Sequence, residues 1–459
     1  MSNAAARRAG GANSIAGPVT ASPAGEGYLA EYLQRLGVGP STRWTGRVVQ
    51  AVGNVVESEG PCCSVGERCL IEDRNGKQYP GEVIGFRGRT VLSMPISKPD
   101  GLRYGDRITA WGERPGVPVC EALRGRVLDA NGTPIDGGPP FASAGSRAFD
   151  HPPPLPLERE PIRQALGCGV RALDGFVACG RGQRLGIFGG SGVGKSTLVG
   201  MMARNTAADL TVLALVGERG REVQEFLETL GEAGRRRSVV VVSTSDQSPL
   251  LRLRAALAAT AIAEYFCSLG QHVLLVVDSL TRFAMAQREI GLAAGEPPTA
   301  KAYTPSVFSL LARLVERAGQ FHGGSITAFY SVLMEGDDQQ DPLVDAVRSL
   351  LDGHIVLDRQ LAAQGHYPPI AILDSLSRLM PAVASPAHLE KAQQLKRLLA
   401  CYQRSEDLIR IGAYQAGADP LLDRAIALRP GILEYLRQKP GDPAPLADSL
   451  ARLLSLPGA

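Results

Sequence analysis

Residues 189–196 read Gly-Gly-Ser-Gly-Val-Gly-Lys-Ser, which is the spacing of a phosphate-binding loop: a glycine, four residues, then Gly-Lys-Ser. The run before it, Arg-Leu-Gly-Ile-Phe at 184–188, is a short strand candidate, and Thr-Leu-Val-Gly-Met-Met-Ala-Arg at 197–204 reads as helix. Strand, glycine loop and helix is the context in which the motif cradles phosphate. Gly189, Gly190, Gly192 and Gly194 carry no Cβ. The loop, with Ser191 and Val193 between them, can therefore turn successive N–H groups toward one anion. The start of the following helix adds partial positive charge. Lys195 is placed to reach the β and γ phosphates of a nucleotide, and Ser196 to ligate a magnesium ion between them, with Thr197 as the neighbouring substitute.

Working outward, 459 residues are too many for one hydrophobic core, so two or three domains are expected. Lys plus Arg at 49 against Asp plus Glu at 46 gives a net charge of +3, too small to imply nucleic acid or an acidic membrane as the main partner. The eight cysteines are scattered with no Cys-x-x-Cys spacing, which argues against structural zinc and suits a reducing cytoplasm. Residues 9–27 mix Gly, Ala, Ser and Pro without the apolar stretch of a signal peptide, and no run reaches the ~20 apolar residues of a membrane span.

Composition divides the chain into six segments. Residues 1–27 read as a flexible tail of small residues. At 28–40 a short amphipathic helix, carrying Tyr28, Leu29, Tyr32, Leu33 and Leu36 on one face, either docks on a partner or membrane surface or packs on its own domain. Residues 41–115 alternate in short β-type runs broken by glycines, as in a small antiparallel barrel. A connector follows at 116–160, with a strand and turn read at 125–129 and 132–136 and a proline-rich, stiff stretch at 139–161. From 161 to 380 apolar runs at 211–216, 238–243, 273–277, 325–332 and 354–357 alternate with helical stretches, the pattern of a mostly parallel α/β sheet. Beyond, 381–459 reads as helical, with helices expected at 388–411 and 421–436.

Two carboxylates stand out. Residues 272–278 read His-Val-Leu-Leu-Val-Val-Asp, a buried strand whose first acidic residue appears at its C-terminal end, where ligands sit in open α/β sheets. Asp278 is therefore the candidate to hold the magnesium, through water. Glu218 ends the run that starts at 211, inside Gly-Glu-Arg-Gly-Arg-Glu at 217–222. A carboxylate there can orient and polarise an attacking water, with Arg219 or Arg221 balancing phosphate charge. The plain alternative is a charged loop.

The phosphate loop, the Gly-Glu-Arg-Gly-Arg-Glu-Val stretch at 217–223 and Asp-Ser-Leu-Thr-Arg-Phe-Ala at 278–284 resemble the catalytic β subunit of rotary ATP synthases and its relatives. Residues 280–291, Tyr-Thr-Pro-Ser-Val-Phe at 303–308 and most of 324–359 resemble, more narrowly, the type III secretion ATPases, especially those of flagellar export. The resemblance implies an N-terminal β-barrel, a central RecA-like ATPase domain and a C-terminal helical domain, assembled as a homohexamer. It implies an enzyme of the cytoplasm, peripheral at the inner face of the bacterial membrane, that hydrolyses ATP with Mg2+ to energise protein export. Glu218 falls on the catalytic carboxylate. Arg378, closing Ser-Leu-Ser-Arg at 375–378, falls on the arginine finger that enters a neighbour's site. Tyr367 falls on an adenine-stacking aromatic, and Arg219 and Arg282 on arginines near the phosphates. Pro369 and Ala371 depart from the family, which usually reads Ala and Asp there.

Partners implied by the resemblance are a regulatory stator-like protein at the 28–40 helix, a coiled-coil stalk protein, export chaperone–substrate complexes and the membrane export gate. Residues 303–305 and 411–414 favour the flagellar branch over a non-flagellar virulence secretion ATPase. A rotary ATP synthase-type subunit is disfavoured because no acidic lever segment is evident between 398 and 419. A ring-shaped RNA translocase would call for stacking aromatics in a basic groove. Aromatic residues make up 5% of the chain and Arg235-Arg236-Arg237 is its one tight basic run, so no nucleic-acid partner is expected.

Overall fold

The computed structural model describes residues 44–334 and 341–457. The expected tail at 1–27 and helix at 28–40 lie outside the described residues. Six strands, β1 (Thr45–Val52), β2 (Val55–Glu59), β3 (Arg68–Glu72), β4 (Gln78–Arg87), β5 (Thr90–Pro95) and β6 (Arg107–Ala110), close into an antiparallel barrel in the order β1-β2-β5-β4-β3-β6. Closure leaves no unpaired edge. Alternation fills the interior: Cys69 and Ile71 of β3 and Tyr79 and Val83 of β4 turn inward to meet Val48, Val56, Val91 and Ile108.

The proline-rich stretch after the barrel is more ordered than a spacer. Gly116–Val119 pairs antiparallel with Gly145–Ala148, and β7 (Val127–Asp129) becomes the edge strand of the next domain. That domain holds a nine-stranded sheet. Its further strands are β8 (Arg184–Gly189), β9 (Leu210–Glu218), β10 (Ser238–Thr244), β11 (His272–Asp278), β12 (Gly324–Leu333), β13 (Gly353–Val356) and β14 (Leu376–Ser377). They run in the order β14-β13-β8-β12-β11-β9-β10-β7, all parallel except β14, while Gly319–Phe321 pairs beside β12.

The sheet is buried on both faces, which explains why its strands read as continuous apolar runs. Successive residues serve opposite cores. Val212, Ala214 and Val216 of β9, with Val239 and Val241 of β10 and Leu275 and Val277 of β11, pack on one side. Leu213 and Leu215, Val240 and Val242, and Leu274 and Val276 pack on the other. The first side is covered by α3 (Pro249–Ser268), α4 (Leu280–Ala294), α5 (Pro305–Val315) and α6 (Pro342–Leu350). The second is covered by α1 (Lys195–Asn205), α2 (Gly220–Arg236) and the C-terminal helices α7 (Pro386–Arg410), α8 (Pro420–Leu436) and α9 (Leu446–Ser455). The helical domain thus shares a core with the helix that follows the phosphate loop.

Two polar joints fix the domains to one another. Gly175, in the short helix Arg171–Phe176, allows Tyr435 of α8 to approach so closely that a Cβ there would stand 2.4 Å from the Tyr435 hydroxyl. Buried Gln438, just past α8, accepts from the Arg171 amide at 2.9 Å and donates to the Gly169 and Asp442 carbonyls, each at 3.0 Å. At the other joint Arg254 of α3, 4% exposed, donates to Glu82 of the barrel at 2.6 Å and to Asn131 at 3.1 Å.

Removing one partner of a nearly dry ion pair strands the other. Arg254→Met is therefore expected to destabilise the barrel joint by about 3 kcal/mol, read as a lower thermal midpoint. Adding Glu82→Gln should recover most of the loss, and the single and double variants melting alike would show that the pair does not hold the joint.

Candidate active site

β8 ends at Gly189, and the chain turns through 190–194 into α1. Gly192 and Gly194 adopt φ of +77° and +102°, a region side-chain-bearing residues avoid, and Gly194 is the N-cap of α1. Buried Val193 anchors the turn, while Ser191, Gly192 and Ser196 remain exposed on its open side. Thr197 is half-buried one position further on.

The parallel sheet brings its strand ends to this loop. β12 lies between β8 and β11, so Gly189, Asp278 and the end of β12 are neighbours. Lys195 Nζ lies 2.6 Å from Asp278 Oδ1. The same oxygen accepts the Ser331 hydroxyl of β12 at 2.6 Å. Asp278 is 3% exposed and Ser331 fully buried. The next residue, Ser279, caps α4 by accepting from the Arg282 amide at 3.3 Å, and Thr281 accepts from the Leu333 amide at 2.9 Å. These bonds hold the strand end and the start of α4 in fixed relation to the loop.

Glu218 ends β9 one strand further along, and its carboxylate stands 3.4 Å from Arg282 Nε. Gly217 makes room for that arginine: its φ is +66°, and a Cβ there would meet Arg282 Cδ at 2.9 Å. Burial pushes the Glu218 carboxyl up to about 7, reinforced by a hydrogen bond shared with Glu222 and by the negative Asp278, against the opposing pull of Arg282 and Lys195. Glu222, exposed, is correspondingly held below its usual range by that shared bond. Of the two, the less exposed Glu218 keeps the proton. Arg219, exposed at the N-cap of α2, stands close enough to favour ionised Glu222.

Tyr367 lies on the flank of the loop. Its ring Cε1 and Pro369 Cδ both lie 3.7 Å from where a Cβ on Gly194 would be. The Tyr367 carbonyl accepts the Gln438 amide at 2.9 Å, which ties this aromatic to the helical domain. The structure therefore gathers the loop from Gly189 to Thr197, Glu218, Asp278, Arg282 and Tyr367 around one end of the sheet.

Arg378 stands elsewhere. It is exposed, and its amide donates to the Asp352 carbonyl, while the Asp352 amide donates to Arg184 at the start of β8. The phosphate loop begins after the last residue of that strand, roughly 17 Å away along six residues. Arg378 belongs to the opposite end of the sheet. Sequence reasoning passed over Ser331 and Glu222. Ser331 carried a signal, a hydroxyl near the C-terminal end of an otherwise apolar run, but its partner lies 53 residues away in sequence.

Comparison with known proteins bears on this geometry. The ATP synthase alpha/beta family models match residues 48–112 (beta-barrel domain) and 169–377 (nucleotide-binding domain), and the model for the T3SS EscN ATPase C-terminal domain matches 384–455. The "Flagellum-specific ATP synthase" of Bacillus subtilis is 51% identical over 416 residues, covering 90% of this chain and 95% of that protein. Among solved structures, the assembled ATPase EscN from the enteropathogenic E. coli type III secretion system superimposes with a TM-score of 0.85 at 43% identity, covering 90% of this chain and 99% of that one. The same EscN in complex with its central stalk EscO gives 0.83 at 42% identity, with the same coverage.

The raised Glu218 carboxyl has a thermodynamic signature. The folded chain binds this proton more tightly than the unfolded chain, whose carboxyl titrates near the usual 4.5. Its stabilising contribution is full below that value and lost as pH rises through about 7. Glu218→Gln, a mimic of the protonated form, should melt a few degrees above the parent at pH 8, with the gap closing toward pH 5. A gap that is flat with pH would show that the carboxyl is not raised.

Proposed function

The chain belongs to the family of flagellum-specific and type III secretion ATPases, within the wider ATP synthase alpha/beta family, and from that premise we propose how its site hydrolyses ATP and what the hydrolysis serves. Magnesium fits the donors at hand, because the exposed Ser196 hydroxyl at the start of α1 and the Asp278 carboxylate are hard oxygen ligands. A magnesium ion held there with ATP would supply charge neutralisation at the phosphates. The amides of 190–194 cradle the phosphates, and Lys195 moves from Asp278 onto them. Glu218 orients the attacking water and accepts its proton. A carboxyl raised to about 7 suits that task, since a base titrating near neutrality combines the ionised state with a real drive for proton transfer. Arg282 and Arg219 balance phosphate charge, and Tyr367 stacks on the base.

The observation that carries the rest of this reading is the separation between the phosphate loop and Arg378. An arginine at the far end of the sheet cannot reach the nucleotide of its own chain, so it is assigned to the site of a neighbouring subunit, as expected in a homohexamer. The units 41–115, 161–380 and 381–459 then act as barrel, ATPase core and helical domain of each subunit, with 116–160 joining barrel to core and lending the core its edge strand, Val127–Asp129. The work done is export of flagellar proteins. Identity alone separates the branches little, with flagellar relatives at 46% to 51% and type 3 secretion ATPases at 46% to 48%, so the preference for the flagellar branch rests on residues 303–305 and 411–414. The EscN–EscO structure supports a central stalk partner here too. Proposed further, by likeness to the family, are a stator-like regulator at 28–40, chaperone–substrate complexes, the export gate and a peripheral place at the inner face of the cytoplasmic membrane. Among the described residues no helix is long and apolar enough to cross a membrane.

ATP turnover per subunit should rise cooperatively with protein concentration. Glu218→Gln is expected to lower it by about a hundredfold or more, and Arg378→Ala by roughly a thousandfold or more. Mixing the two inactive variants should restore part of the activity, because some interfaces then combine an intact Glu218 with an intact Arg378. Turnover independent of concentration, or no recovery on mixing, would sink the shared site. A deletion that abolished effector injection while leaving swimming intact would move the chain to the virulence branch.

A further inference from the structure

Asp278 Oδ1 carries two donors at once, Lys195 Nζ at 2.6 Å and Ser331 Oγ at 2.6 Å, in a site where Asp278 is 3% exposed and Ser331 fully buried. Lys195 is needed elsewhere when nucleotide arrives. Its departure leaves a desolvated carboxylate facing incoming phosphate charge, an arrangement that is costly unless another donor remains. Ser331 is the donor that remains. It stands on β12, whose backbone pairs with β8 on one side and β11 on the other, so its hydroxyl cannot follow the lysine.

We propose that Ser331 is a positioning residue of the nucleotide site: it holds the Asp278 carboxylate in place, through Oδ1, during the interval in which Lys195 has moved to the phosphates. This rests on the reading that Lys195 and Asp278 face phosphate and metal. In the nucleotide-free protein the carboxylate has both donors, so loss of the serine hydroxyl is partly covered by the lysine. With nucleotide bound and no metal, the serine is the one donor of this pair left. Its loss therefore weighs more on the bound state than on the free state. With the metal present the carboxylate has a cationic partner again, and the serine matters less. Ser331 thus sets how strongly nucleotide affinity depends on magnesium. By reciprocity, the same factor appears in how strongly metal affinity depends on nucleotide.

The test is calorimetric titration of the full-length protein with ADP, once in EDTA and once in saturating magnesium chloride, on the parent, Ser331→Ala and Ser331→Thr. Ser331→Ala should bind ADP about tenfold more weakly than the parent in EDTA, the scale of a hydrogen bond to a charged group. In magnesium the difference should be under about threefold, and Ser331→Thr, which keeps the hydroxyl, should follow the parent in both. A purely structural serine would weaken binding equally with and without metal. Equal weakening, an unchanged Ser331→Ala, or a Ser331→Thr that loses as much as alanine, overturns the inference. If Ser331→Ala does not fold, Ser331→Cys takes its place; the isosteric weaker donor should then show a smaller loss confined to EDTA, and a cysteine variant matching the parent overturns the inference. A parent that binds no ADP under either condition overturns the nucleotide-site reading itself, an outcome distinct from all of these.

Discussion

A sheet buried on both faces admits charge only where its strands end. Parallel pairing sends the C-terminal ends of β8, β12, β11 and β9 to the same side. The chain's chemistry is therefore concentrated there by necessity: a glycine loop after β8, an aspartate ending β11 and a glutamate ending β9. β8, β11 and β9 each contribute one of these, because a strand interior buried on both faces has no place for charge, while β12 supplies the neutral Ser331 hydroxyl from just inside its end. The two apolar cores on either side of the sheet keep the ends in register.

Within that edge the charges restrain one another. Lys195 and Asp278 satisfy each other in the absence of a ligand, while Glu218, one strand away, lies under the influence of both and of Arg282. The glutamate holds a proton chiefly because burial penalises its ionised form, and Glu222 at the surface takes the ionised role. The glycines do steric work on the same groups. Gly217 lets Arg282 lie against the strand end, and Gly194 supplies the left-handed turn that opens α1.

Much of this was legible in the residues. The phosphate loop announces itself because its chemistry is packed into eight consecutive positions, and Asp278 and Glu218 because an acidic residue breaks an apolar run. The barrel, parallel sheet and helical domain follow from a change of period along the chain. What the one-dimensional text conceals is pairing across distance. Ser331 is one hydroxyl among many until β12 is placed beside β11. Val127–Asp129 reads as a strand, but its partner, β10 of the following domain, is hidden in the sequence. Arg378 can be identified by likeness to a family, yet its distance from the loop of its own chain is a property of the antiparallel β14, a two-residue strand too short to carry any periodicity. Tyr367 likewise gains its meaning from Gln438, which lies far along the chain in another domain.

That last bond has a mechanical side. α7 is 25 residues long, or roughly 37 Å, and its first turn is pinned where His388 meets the Gly175 carbonyl at 2.8 Å. α8 returns from the far tip and ends beside Gln438, whose amide grips Tyr367. The pair is a lever attached at Gly175 and Tyr367, with its tip where Leu408 and Ile411 are exposed. A tilt of about 5° at the pivot sweeps the tip through about 3 Å over a helix of this length. Through such a lever a sub-ångström adjustment at the two attachments would appear at the tip as a movement the size of a side chain, and a push on the tip would arrive at Tyr367 as a fine adjustment.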